Sequence, residues 1–179
     1  GPLKILTEKI KEGVREEEER VFIEQFGRGQ VLKELHSFKK PIKEEIHYCV
    51  ERMATGMTHF LERGSIQSIE ELHNYVYYVA GGIGEFLNRI VEIKDGVRLD
   101  DNYAREFGEY LQLVNILKGL RKDWEEGREF SPVELHTGHS VNYLMQGRGD
   151  EVEDLRKRSL EGMFILADEN FNHSVEYVI

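Results

Sequence analysis

Apolar residues recur along most of this chain at intervals of three and four, and glycines and prolines punctuate the runs. Leu3, Leu6, Ile10, Val14, Val21 and Phe22 mark one side of residues 3–26, so that stretch reads as a helix. The charge run from Glu16 to Glu19 reads as its solvated face. Gly27 and Gly29 close the segment, a short helix over about 30–38 follows, and Pro41 restarts the chain. Ile46, Cys49, Val50, Met53, Met57, Phe60 and Leu61 draw a clear stripe through a second long helix over 42–63, which Gly64 stops.

Ser68 with Glu71 has the spacing of a capping box and opens a third helix over about 69–93. That helix is apolar nearly all round, which predicts a central position, and Asp95-Gly96 turns the chain out of it. Asp101 is the expected N-cap of a fourth helix over about 102–125, ended by Gly127. Ser131-Pro132 with Glu134 has the signature of a helix start and predicts a short helix over about 132–138. A loop holding Gly147 and Gly149 then leads to a last helix over about 150–177, beginning at Asp150. No strand pattern competes, and the expected fold class is all-α, with long helices joined by short loops.

Composition narrows the function classes. A chain of 179 residues fits one domain over 3–179, with Gly1-Pro2 read as a protease scar. Net charge is −10, with 34 acidic against 24 basic residues, which argues against a nucleic-acid binder. A single cysteine, Cys49, excludes an internal disulfide, suits a reducing compartment and reads as a small buried apolar residue. No apolar run approaches the roughly 20 residues needed to span a bilayer. No signal peptide is visible. The expectation is a cytoplasmic protein.

Two helices carry residues whose chemistry calls for explanation. On the third, Tyr75, Val79, Gly82, Ile83 and Phe86 share a face. Gly81 and Gly84 lie mid-helix, where each costs about 1 kcal/mol relative to alanine. A close helix crossing or a ligand against the backbone would offset that cost. On the fourth, Gln112, Asn115, Gly119 and Asp123 fall on one face of a helix otherwise rich in leucine, valine and isoleucine. The two amides need partners, either on neighbouring helices or in a polar cavity. Arg128 lies just past the helix end, free to swing toward an anion.

Three stretches resemble the squalene and phytoene synthase family of head-to-head prenyl transferases: "YCVERMATGMTHFL" (48–61), "YVYYVAGGIGEFLNRI" (75–90) and "LQLVNILKGLRKDWEEGREFSP" (111–132). The resemblance covers about residues 40–178 and is closer to the squalene branch, judging by "RMATGM" and "GREF". It implies an isoprenoid-synthase-like helical bundle around an apolar cavity. In the family, two aspartate-rich helices face each other across that cavity and bind magnesium ions that hold prenyl diphosphates. By position, Tyr75 matches the family's functional tyrosine. Gln112 and Asn115 match the polar pair before the second motif, Asp123 its last aspartate, and Arg128 the diphosphate-facing arginine. Lys118 stands where the family has an arginine, on the substrate side.

The departures shape the functional expectation. Gly119 stands where the family's second motif begins with an aspartate, and Lys122 where an acid precedes the last one. One carboxylate, Asp123, holds magnesium weakly with waters and phosphate oxygens. Residues 3–40 contain no aspartate to supply a first motif, and the bundle is expected to be reduced at both ends. A cavity left open in this way predicts a homodimer or a complex with a complementing chain, with peripheral membrane contact as a further possibility.

Three readings follow: a non-catalytic member that keeps an isoprenoid or lipid cavity; a magnesium-dependent prenyl transferase completed by a partner chain; or a helical scaffold. Two other patterns are set aside. "DEVED" (150–154) reads as acids at a helix start, where they favour the dipole, and His136 and His139 read as surface residues. Trp124 and Phe130 read as packing anchors around the Gly-Arg turn.

Overall fold

The computed structural model of this chain describes residue 21 and residues 30–178. The expected helix over 3–26 lies outside the described residues except for Val21, which is helical. The chain divides into two compact units, Gly1–Glu44 and Glu45–Ile179. In the first, α1 (Gln30–Ser37) is closed by Ser37, whose hydroxyl donates to the Glu34 carbonyl at 2.6 Å. Helix α2 (Lys40–Arg63) begins there and runs on through the second unit. Pro41 sits in its first turn, where a missing N–H breaks no bond.

The second unit is helical throughout, and the described residues contain no strand, only an isolated bridge between Ser65 and Glu129. The elements are the rest of α2, α3 (Ile69–Val76), a π-helical turn (Tyr77–Gly81), α4 (Gly82–Asp95), α5 (Asp101–Glu125), a 3-10 turn (Val133–His136), α6 (Val141–Gln146) and α7 (Asp150–Val178). Leu72, Val76, Leu113, Val141, Leu144 and Met163 are fully buried where α3, α5, α6 and α7 meet. Cys49 is buried as expected, and burial pushes its thiol up.

The expected third helix is therefore two helices joined by a π turn. The Ser68 half of the capping box forms, its hydroxyl accepting from the Glu71 N–H at 3.2 Å, while Glu71 accepts from the N–H of Gln67, one residue before the cap, at 2.9 Å. The extra residue per turn at Tyr77–Gly81 changes the register between α3 and α4. The glycines permit a close crossing. A Cβ on Gly84 would collide with the Ala104 carbonyl, and one on Gly108 with the Ala80 carbonyl. Of the alternatives left open for the mid-helix glycines, Gly84 serves backbone-to-backbone packing of α4 on α5. Gly81 faces the side chains of Glu109 and Arg105. Arg52 of α2 binds the same region, donating to the Gly82 carbonyl, to Tyr77 Oη at 2.9 Å and to Glu85 at 2.8 Å. Its guanidinium lies over the rings of Tyr48 and Tyr77. The helix is also less central than its composition suggested, since Leu87 and Ile93 are exposed.

Four further expectations are corrected. Asp100, not Asp101, caps α5, accepting from the N–H groups of Asn102 and Tyr103 at 2.7 and 3.3 Å. The segment after Pro132 makes only a 3-10 turn, because its two signature side chains are used elsewhere. Ser131 joins a buried chain in which the Trp124 indole donates to its hydroxyl at 3.1 Å and the hydroxyl meets His136 Nε2 at 2.9 Å. Glu134 accepts from the Ile69 N–H at 2.9 Å and so caps α3 rather than its own turn. His136 is thus a core residue, fully buried against Trp124, and burial lowers its pKa. His139 is part-exposed, stacked on Tyr143. Helix α6, capped by Ser140, occupies what the sequence suggested was loop.

Candidate functional site

Helix α5 presents two opposite faces. One carries Gln112, Asn115, Ile116 and Asp123 into a cavity of about 500 Å³. Met57 and Phe60 from α2, Ile66 from the following loop, and Tyr75 from α3 supply the apolar walls. Gly127, Arg128, Glu129 and Phe130 close its polar end. Tyr75 is held between two rings: Phe60 meets it edge-on and Phe130 stacks on it, each with centroids 5.3 Å away. The aromatic anchor reading of Phe130 was therefore sound, but its partner is the candidate functional tyrosine.

The turn after α5 decides how the charged groups sit. Gly127 adopts a left-handed conformation, φ +73°, which an L side chain tolerates poorly. The Gly127 N–H donates to the Trp124 carbonyl at 3.1 Å and the Arg128 N–H to the Asp123 carbonyl at 2.8 Å. That is a Schellman ending, and it folds Arg128 back over the last turn. The guanidinium then donates twice to Asp123 Oδ1, from Nε at 3.0 Å and Nη2 at 2.7 Å. Nη2 also pairs with Glu126 at 2.5 Å. Arg128 is not free to swing, contrary to the sequence expectation. Its hydrogen bond to Asp123 raises its pKa further. Burial, then the Asp123 charge, raises the pKa of Tyr75, with Arg128 opposing.

Five of the six candidate site residues, Tyr75, Gln112, Asn115, Asp123 and Arg128, line this one cavity. Lys118 does not. It lies roughly 120° round α5 from Gln112 and lines a separate apolar groove with Tyr110, Val114, Leu117, Phe164, Ala167, Asp168 and Phe171. The helical period, not the motif alignment, decides that position. Of the expected face on the third helix, only Tyr75 reaches the cavity, because the π turn rotates the residues that follow. Met57, Phe60, Ile66 and Glu129 line the site without a signal specific enough to separate them from core or surface residues.

The resemblance implies magnesium for the family, the sequence of this chain supports it only weakly through Asp123, and the donor set present fits it poorly. Asp123 Oδ1 is committed to Arg128, and Glu129 accepts from the Val141 N–H at 3.0 Å. A Cβ on Gly119 would meet only the Asp123 carboxylate, at 3.1 Å from Oδ2, so a side chain fits there once that carboxylate gives by a few tenths of an ångström, and no second carboxylate stands at that position. Among the described residues no group of three histidine, cysteine, aspartate or glutamate side chains is placed to hold a metal. A divalent ion wants about six oxygens.

The helical bundle is of the isoprenoid-synthase-like class, the fold of the solved squalene synthase structures on which it superposes. The squalene/phytoene synthase family model matches residues 9–171, and the chain belongs to that family. It is 31% identical over 172 residues to the squalene synthase of Gibberella zeae, covering 85% of this chain and 37% of that one. With rat squalene synthase it shares 31% identity over 123 residues, 66% of this chain and 29% of that one. The solved complex of TcSQS with the ligand BPH1237 superposes with a TM-score of 0.78 at 25% identity, covering 92% of this chain and 49% of that chain. The chain thus spans less than half the length of these relatives. No described helix is long and apolar enough to cross a membrane.

Proposed function

We propose that this chain is a non-catalytic member of the family whose cavity holds an isoprenoid or lipid chain. The Asp123–Arg128 pair beside Gly119 carries the reading. The carboxylate that would hold a metal and the guanidinium that would meet a diphosphate neutralise each other, and Glu126 takes a further share of the guanidinium. The aromatic walls around Tyr75 remain suited to an apolar chain. The test is to incubate the purified chain with farnesyl diphosphate and magnesium, following diphosphate release, and in parallel to detect bound isoprenoid by native mass spectrometry. Background release with a bound isoprenoid is expected. Magnesium-dependent release far above background would overturn it.

A second reading is a prenyl transferase active with a partner chain that brings the missing aspartates. The convergence of five candidate residues on one cavity favours it. Leu160, Phe164, Ile165 and Phe171 stand exposed along α7, and an apolar stripe of that kind supports association with another chain. This reading expects sedimentation velocity to show a dimer or complex, and activity to appear only in that assembly.

A further inference from the structure

We infer that the occupant of the Tyr75 cavity is an amphiphile with an uncharged polar head, a hydroxyl or carbonyl on an apolar chain, rather than a prenyl diphosphate. This rests on the cavity-binding reading above and specifies its ligand.

The charges at the cavity come first. Among its lining residues two carboxylates, Asp123 and Glu129, face one guanidinium, Arg128. Glu126 adds a third carboxylate against the same guanidinium. Of the Arg128 nitrogens, Nε and Nη2 already donate to carboxylates, which leaves Nη1. The nearby lysines do not correct the balance. Lys118 lines the groove on the other face of α5, and Lys122 is exposed and pairs with Glu126 at 3.7 Å. A diphosphate, multiply charged at neutral pH, would meet a described lining of net negative charge, with no divalent donor set among the described residues to offset it.

The neutral donors and acceptors come second. Gln112 and Asn115 both line the cavity, Gln112 half-buried and Asn115 at its exposed mouth, and neither side chain hydrogen-bonds another described residue. A carboxamide offers two donors and an acceptor, which suits a hydroxyl or carbonyl head and carries no charge to neutralise. The rings of Phe60, Tyr75 and Phe130, with Met57, Ile66 and Ile116, give the chain an apolar bed beyond that head. Such a site binds by burying the chain and orients by two amides.

The experiment is isothermal titration of the full chain with farnesol and with farnesyl diphosphate, each with and without magnesium. Farnesol is expected to bind at least tenfold more tightly. The Gln112→Leu/Asn115→Leu double variant, checked for native circular dichroism, is expected to weaken farnesol several-fold relative to the all-hydrocarbon farnesene, whose binding the added apolar surface does not weaken. Equal or tighter binding of the diphosphate would overturn the inference while leaving a prenyl cavity standing. Binding of neither would overturn both this inference and the cavity reading. The comparison of the two ligands on the unaltered chain decides the matter even if the double variant does not fold.

Discussion

Arg128 reaches back across the end of α5 and holds a single oxygen of Asp123 with two of its nitrogens, at 3.0 and 2.7 Å. Asp123 is well shielded and Arg128 half exposed, so the pair is stronger than a surface ion pair but is not a deeply buried one. Asp123→Asn removes one negative charge and weakens the hold on the guanidinium, which Glu126 still contacts through Nη2. The expected result is a roughly tenfold gain in affinity for farnesyl diphosphate, the scale of one charge-assisted hydrogen bond. Titration calorimetry in low salt checks it, and an unchanged affinity would mean that the pair does not limit anion binding.

Gly119 offers a second handle on the same site. A side chain there meets only the Asp123 carboxylate, so Gly119→Asp fits sterically. Placed i, i+4 on one helix face, the two acids repel and should lower stability by a few tenths of a kcal/mol without metal. Manganese should restore that loss and raise the melting temperature in a saturable way, because binding to the folded state alone stabilises it. Thermal denaturation with and without manganese measures both effects. Adding Lys122→Glu should strengthen the metal response only modestly, since Lys122 is exposed and paired with Glu126.

The α4–α5 crossing gives a stability prediction. Gly84→Ala and Gly108→Ala each drive a methyl into a backbone carbonyl, of Ala104 and Ala80 respectively. Neither carbonyl can rotate away, so each variant should lose about 1–3 kcal/mol or more, despite alanine's better helix propensity. Gly119→Ala, in the same helix as Gly108, meets only the end of the Asp123 side chain at 3.1 Å and should cost far less than either. Urea denaturation distinguishes them.

Glu109 predicts the pH dependence. Its carboxyl is buried beside Gly81 at the crossing, and burial raises its pKa from 4.5 to about 7. Arg105, 3.8 Å away, opposes that shift, while Glu106 and Glu85 add to it. The folded chain therefore holds a proton that the unfolded chain releases between about pH 4.5 and pH 7. Across that window the folded state binds more protons, so the contribution of this group to stability falls as pH rises and is fully lost above it. The loss amounts to at most about 3 kcal/mol. Glu109→Gln should flatten the slope and raise the melting temperature at pH 8 while changing little at pH 5.

Much of the fold follows from local pattern. The helical class, the stripe of α2, the Ser68 cap, the glycine ending at Gly127 and the α5 face carrying Gln112, Asn115 and Asp123 depend on spacings of three to seven residues. Such spacings fix geometry inside one helix, and the chain itself contains them. The departures at Gly119 and Lys122 are likewise a matter of residue identity.

Contacts between segments decided the rest. Ser131 and Glu134 look like a helix start, yet Ser131 bonds Trp124 and His136 while Glu134 caps α3, a helix 65 residues away in the chain. The π turn at Tyr77–Gly81 separates Tyr75 from the face its spacing promised, because α4 must meet α5 at Gly84 and Gly108. Arg128 looked free until the Schellman turn laid it on Asp123. The sequence alone determined which chemical groups the site has. Tertiary packing decided which of them are already committed to one another, because a hydrogen-bond partner is chosen by distance in space, which local spacing does not encode.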